Sequence, residues 1–168
     1  MNHAAHSQPA TGRFLAGEHH FPLRVYFEDT DLSGIVYHAN YLRYMERARS
    51  EMLRLAGADQ RAAMAAGAGA YAVTRVALRY LTPARLDDVL MVVSRLVKIR
   101  AASCDIHQRV MRDGLIVAQA ELTVAFVAPS GKPARQPRAW VAAFEQLLWV
   151  DGPAAGPGVE PKVKEMRA

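Results

Sequence analysis

The spacing of hydrophobic and polar residues changes twice along this chain, and each change marks a new kind of element. Residues 22–29 alternate, with Leu23, Val25 and Phe27 on one side and Arg24 and Tyr26 on the other, which predicts a strand. An acidic turn, Asp31–Gly34, and a short apolar link, Ile35-Val36-Tyr37, follow. The spacing then becomes helical: Leu42, Met45, Arg49, Met52 and Leu53 trace one stripe, with Arg43, Glu46, Arg47, Ser50 and Arg54 around it. Asn40 is the expected N-cap and Gly57 the stop, so the helix runs roughly 16 residues, about 24 Å. From Tyr71 the period returns to two. Strands are predicted over 71–80, 88–98, 103–111 and 115–127, with turns at Arg100-Ala101-Ala102 and Asp113-Gly114. A short amphipathic helix is expected within 137–148. The order predicts an α+β architecture: one long helix against a five-stranded antiparallel sheet. A single layer leaves strand edges and one sheet face to cover, which favours self-association.

The expected domain is 21–149. Residues 1–20 hold His3, His6, His19 and His20 among small and polar residues and are expected to be a flexible tail. The Gly/Pro-rich stretch 150–168 is expected to be disordered. Composition adds only a few constraints. The 51% hydrophobic content supports a core, and the net charge of +5 suits an anionic ligand such as a phosphorylated cofactor. No aromatic residues interleave with the basic ones in the manner of single-strand binders, so no nucleic-acid partner is expected. The lone Cys104 excludes an internal disulfide and a multi-cysteine metal site, and reads as buried filler. No apolar run approaches the roughly 18–20 residues of a membrane span, and no secretion signal is seen at the start. A cytoplasmic location is the simplest expectation.

Chemistry concentrates between Glu28 and Asn40. Asp29 and Asp31 can simply shape a turn. Alternatively Asp31, close before a helix, can act as a general base or nucleophile while helix N–H groups polarise a carbonyl. That division of labour suits acyl transfer to water from a good leaving group such as a thiolate. His38 can be a hydrogen-bonded packing residue or can hold or protonate a group at the helix entrance. Tyr37 and Tyr41 read as packing residues, and Glu46, Arg47, Arg49 and Glu51 as a solvated or interface helix face. The signatures of serine hydrolases, P-loop proteins and dinucleotide-binding proteins are missing.

The segment Asp29-Thr30-Asp31-x-x-Gly34-x-Val36-Tyr37-His38-Ala39-Asn40-Tyr41, followed by Met45-Glu46-Arg47-Ala48-Arg49, resembles the hallmark of the HotDog-fold acyl-CoA thioesterases. The likeness is to their Tol-Pal-associated branch and, more distantly, to the 4-hydroxybenzoyl-CoA thioesterases. It continues through Glu51-Met52-Leu53-Arg54 and Ala84-Arg85-Leu86-Asp87-Asp88 and spans roughly 22–146. The resemblance implies a helix wrapped by the sheet, and two chains paired into a continuous sheet with sites at their interface. Tetramers are common in the family. It implies Asp31 as the catalytic carboxylate and His38 as the family histidine, with N–H groups around His38–Asn40 binding the thioester oxygen. Gly34, Val36, Tyr37, Ala39 and Asn40 are the substrate-binding candidates in that loop. Lys98 and Arg100, with Arg135 behind them, are candidates for CoA phosphates, or else solvated strand ends. No metal or redox cofactor is implied, since coenzyme A is part of the substrate; an acyl carrier protein is the other possible thioester carrier. One departure stands out. Phe27 replaces a tyrosine that close relatives carry, and Tyr26, one place earlier, is expected on the other sheet face. The rival readings are a non-catalytic acyl-thioester-binding scaffold and, ranked lower, a HotDog dehydratase. The Ala-rich stretch 62–70 is a further candidate for a pocket wall.

Overall fold

The computed structural model describes residues 9–149, so the expected disorder of 150–168 lies outside the described residues. Six strands form one antiparallel sheet in the order β1-β2-β4-β5-β6-β3. They are β1 (Arg13–Leu15), β2 (Glu18–Arg24), β3 (Ala70–Tyr80), β4 (Val89–Ile99), β5 (Ser103–Arg112) and β6 (Leu115–Val127). The helices are α1 (His38–Leu55), α2 (Gln60–Ala65) and α3 (Arg138–Glu145). The last four strands lie within a residue or two of their expected places. Asp113 and Gly114 both take positive φ, 50° and 80°, and Arg112 pairs with Leu115 across them, as a two-residue hairpin requires.

The sheet has six strands where five were expected, because residues 13–20 belong to the fold and are not a flexible tail. The chain reverses at Ala16-Gly17, both at positive φ. Gly12 packs so tightly that a Cβ there would come within 2.3 Å of the His20 carbonyl oxygen. His19 is fully buried, and its Nε2 lies 2.9 Å from the Thr11 carbonyl oxygen. Burial lowers its pKa, and the Thr11 contact opposes that only in part.

The expected strand 22–29 ends early. The Asp29 carboxylate accepts the Tyr26 N–H at 2.8 Å and draws Phe27–Asp29 into a single 3₁₀ turn. Phe27 and Tyr26 therefore do not face opposite sides of a sheet: both stand out of the loop, 82% and 60% exposed.

The stripe that α1 buries is Tyr41, Tyr44, Met45, Ala48, Arg49 and Met52, out of phase with the expected Leu42, which is exposed. Two tyrosines set that phase. Their rings pack with Phe21, Leu90, Val92 and Val110 in one core cluster, and Tyr41 Oη accepts the Ala84 N–H at 3.0 Å. A second cluster under α3 gathers Met52, Leu96, Ile106, Leu122 and Phe144. Arg49 is buried at the centre of the helix rather than on a solvated face. It donates to Gln108 Oε1 at 2.7 Å and pairs with Glu46. Gln108 in turn donates to the Met45 carbonyl at 3.0 Å and to Ser94 Oγ at 2.8 Å. A buried charge is tolerable only when partnered in this way.

Candidate active site

The loop between the 3₁₀ turn and α1 is fixed at its base and open at its tip. Asp29 is buried, and its carbonyl accepts both the Tyr37 N–H at 2.8 Å and the Asn40 side-chain N–H at 2.9 Å. Asn40 is therefore a buried tie to Asp29 rather than the N-cap; Tyr37 holds the cap position. Val36 donates to the Ala84 carbonyl at 2.8 Å, and its side chain lies in the core, which corrects its place among residues facing a substrate. Its backbone anchors the loop instead.

At the tip, Asp31 is solvent-exposed. Its Oδ1 accepts the Ser33 N–H at 2.8 Å and the Ser33 hydroxyl, and its carbonyl accepts the Gly34 N–H at 2.9 Å. Gly34 closes this turn at φ +73°, a conformation that side chains with a Cβ resist. The two Ser33 hydrogen bonds hold the Asp31 carboxyl below the usual carboxylate range, and the nearby His38 acts in the same direction. Ser33 was no candidate from sequence, yet its two hydrogen bonds are the main cause that lowers the Asp31 pKa. It falls at an unspecified position of the motif, so no spacing signal marked it.

His38 opens α1 and is exposed, with Tyr37 at 4.3 Å between ring centroids and Tyr80 edge-on at 6.5 Å. Tyr80 Oη donates to the His38 carbonyl at 3.0 Å, tying the end of β3 to the start of the helix. Among the described residues, no acceptor engages the backbone N–H of His38 or Ala39, whereas the Asn40 N–H is taken by the Tyr37 carbonyl at 2.9 Å. Of the three N–H groups expected to bind a thioester oxygen, those of His38 and Ala39 are the ones without an acceptor among the described residues. Arg85 is a further neighbour: Ile35 pairs with it in a β-bridge, and its guanidinium stands over Gly34.

Lys98 and Arg100 are not brought to this loop. The loop adjoins the start of β4, where the Val25 N–H meets the Asp88 carbonyl; Lys98 is ten residues further on, about 33 Å along the strand. Arg100 is held in a two-pronged pair with Asp105, at 2.8 and 2.6 Å. With Lys98, Arg135 and Arg138 it lines an open groove between β4 and α3. Gln60 of α2 lines a cavity under α1, and none of the Ala-rich residues 62–70 stands on that wall. Cys104 is buried against Gln136, and burial pushes its thiol up to about 11, so it is no nucleophile at neutral pH.

An ionised carboxylate beside two free N–H groups at a helix start can attack, or activate water against, a carbonyl whose oxygen those groups polarise. Residues 25–144 match the thioesterase-like superfamily. The chain belongs to that family. It is 41% identical over 128 residues to the acyl-CoA thioesterase YbgC of Haemophilus influenzae, covering 76% of this chain and 94% of that protein. It is equally similar to the acyl-CoA thioester hydrolase YbgC of Escherichia coli O6:H1, covering 75% and 95%. Among solved structures, a probable thioesterase from Bartonella henselae superposes with a TM-score of 0.68 at 32% identity, over 71% of this chain and 99% of that one. A 4-hydroxybenzoyl-CoA thioesterase superposes with a TM-score of 0.69 at 20% identity, over 75% and 97%, a likeness of fold alone. The long helix of this family member, wrapped by its sheet, is the HotDog fold.

Proposed function

We propose that this protein hydrolyses acyl-CoA thioesters to the free acid and coenzyme A, using Asp31. The carrying observation is the exposed, Ser33-held carboxylate in the loop that leads into the unengaged His38 and Ala39 N–H groups. Relatives of nearly matching length named acyl-CoA thioesterases support the substrate class. In this reading water is added across the C–S bond: the carbonyl takes the hydroxyl, and the leaving thiolate takes the proton. Asp31 attacks or activates the water, the His38 and Ala39 N–H groups stabilise the oxyanion, and the His38 side chain steadies the substrate at the helix entrance. The chemistry asks for a base and oxyanion donors, and for no metal or redox cofactor.

The working unit in this proposal is a pair of copies joined through β3, the longer of the two edge strands. That strand exposes Val73, Val76 and Tyr80, and its eleven residues offer an unpaired row of backbone groups. Antiparallel pairing of two such edges sets the Asp31 loop of one copy near the end of the sheet that carries Lys98, Arg135 and Arg138 of the other. This is how these cations could meet the CoA phosphates. A dimer of such dimers, a cytoplasmic location, acyl carrier protein as a second carrier and the Tol-Pal link of the resembling branch belong to the same proposal.

The test is thiol release from a panel of acyl-CoAs by the wild type and by Asp31→Asn. We expect turnover that falls at least a hundredfold in the variant, since a positioned base contributes about 10²–10⁴-fold. Turnover indifferent to the substitution would remove Asp31 from the mechanism. A single turnover in ¹⁸O-water distinguishes the two roles: label in the Asp31 carboxylate marks direct attack.

A further inference from the structure

A helix commonly closes its first turn with a cap side chain whose oxygen takes one of the free N–H groups. α1 does not. Tyr37 holds the cap position without a side-chain hydrogen bond, and among the described residues the His38 and Ala39 N–H groups stay open. A helix end left open for a substrate oxygen is also an end free to fray. The first turn of α1 therefore needs a hold that spares its N–H groups.

The end of β3 supplies one. Tyr80 Oη donates to the His38 carbonyl at 3.0 Å. The Tyr80 ring stands edge-on to His38 at 6.5 Å and to Tyr41 at 5.5 Å between centroids. Tyr80 is itself fixed: it pairs with Ala118 of β6, and the N–H groups of Leu81 and Thr82 both reach the Val117 carbonyl, at 2.9 and 3.1 Å. Inside a helix a carbonyl already accepts the N–H four residues on. The Tyr80 hydroxyl uses the other lone pair of the His38 oxygen, so no N–H of the first turn is consumed.

The His38 carbonyl and the Ala39 N–H belong to one planar peptide unit, so fixing the oxygen fixes the direction of the N–H. A donor on that oxygen also polarises the unit, and hydrogen bonds chained through a peptide strengthen one another by roughly 10–30%.

We propose that Tyr80 is a positioning residue of the thioester site: its hydroxyl aims and strengthens the Ala39 N–H toward the developing oxyanion without touching the substrate. The inference rests on the thioesterase reading above. A purely structural Tyr80 would hold the helix start and leave the reacting carbonyl unaffected.

Tyr80→Phe keeps the ring and its packing on Tyr41 and removes only the hydroxyl. The substrate is whichever of butyryl-, decanoyl- and benzoyl-CoA the wild type turns over fastest. We expect kcat to fall about tenfold with KM within about threefold, less than the 10²–10³ that losing a whole oxyanion donor costs. A second readout is the infrared band of the same thioester, ¹³C-labelled at its carbonyl and bound to Asp31→Asn. That band should lie below its frequency in water, and adding Tyr80→Phe should return it part of the way. Replacing Tyr80 by 3-fluorotyrosine, assayed where the phenol is protonated, makes the hydroxyl a stronger donor. It should move the band further down, and it decides alone if Tyr80→Phe fails to fold. A kcat within twofold of wild type, or a band that does not respond, would overturn the inference. A lower melting temperature with both readouts unmoved would mark Tyr80 as a structural tie only. No turnover of any acyl-CoA by the unaltered protein would overturn the thioesterase reading and this inference with it. Wild-type turnover with unmoved readouts in the variants overturns this inference alone.

Discussion

Asp31 owes most of the lowering of its pKa to one neighbour. Both hydrogen bonds from Ser33 favour the carboxylate over the acid, so the group remains ionised at lower pH than an unassisted aspartate would. The form that can attack or accept a proton is the ionised one, and activity is lost as pH falls through its pKa. The acid limb of kcat/KM should therefore lie below the ordinary value of 3.8. Ser33→Ala removes the hydroxyl donor, the largest cause of the shift, and should move that limb upward. A pH profile over the range where circular dichroism is unchanged reads both. A wild-type limb above about 5 would show that Ser33 does not govern the acting group. The loop itself was legible because it is contiguous: Asp31, Gly34, His38 and Asn40 fall within ten residues. Their separate duties were not. Asn40 works as a buried tie and Val36 as a core anchor, since both are decided by where the Asp29 and Ala84 carbonyls end up in space.

Among elements, α1 shows where periodicity informs and where it misleads. Its length and direction follow from the 3.6-residue spacing, and Gly57 at φ +80° ends it as expected. Its phase depends on counting Tyr41 and Tyr44 as apolar bodies with a polar tip, which the leucine-led stripe did not. The hairpin of β1 was invisible because its turn is Ala16-Gly17, and alanine gives no sign that it will take φ +48°. The Arg49–Gln108 contact spans 59 residues and has no local signal at all. It also yields a test. Gln108→Leu removes the buried acceptor of Arg49 and strands the Met45 carbonyl and Ser94 hydroxyl, a loss of about 3 kcal/mol. For a chain of this size the melting temperature should fall by roughly 6–12 °C. Adding Arg49→Met should restore part of the loss, because a buried charge without its partner is removed. A fall of less than about 2 °C from Gln108→Leu alone would mean that water replaces the amide and that the network does not hold α1 to the sheet.

At the scale of the molecule, a sheet with one long free edge and a site open to solvent describe the same incompleteness. β3 is hydrogen-bonded to β6 along one side only, over residues 70–80, and exposes Val73 and Val76. Tyr26, Phe27, Leu32 and Tyr37 are also exposed around the Asp31 loop. Apolar side chains gathered at a free edge and around a charged loop mark a surface that another chain covers. The self-complementary way to cover an edge strand is a two-fold antiparallel pairing with itself. Val76 is exposed near the middle of β3, next to Arg75, so Val76→Lys would replace an apolar contact by a further positive charge about such an axis. Like charges facing each other on paired strands are destabilising, and lysine is a residue that natural edges use to prevent pairing. We expect Val76→Lys to sediment as a monomer with unchanged circular dichroism and to lose at least a hundredfold in kcat/KM. Both losses should occur together, because in this pairing the Asp31 loop of one copy meets Lys98, Arg135 and Arg138 of the other. A monomeric variant with full activity would show that each chain carries a complete site. A dimeric variant would show that the copies meet on some surface other than β3.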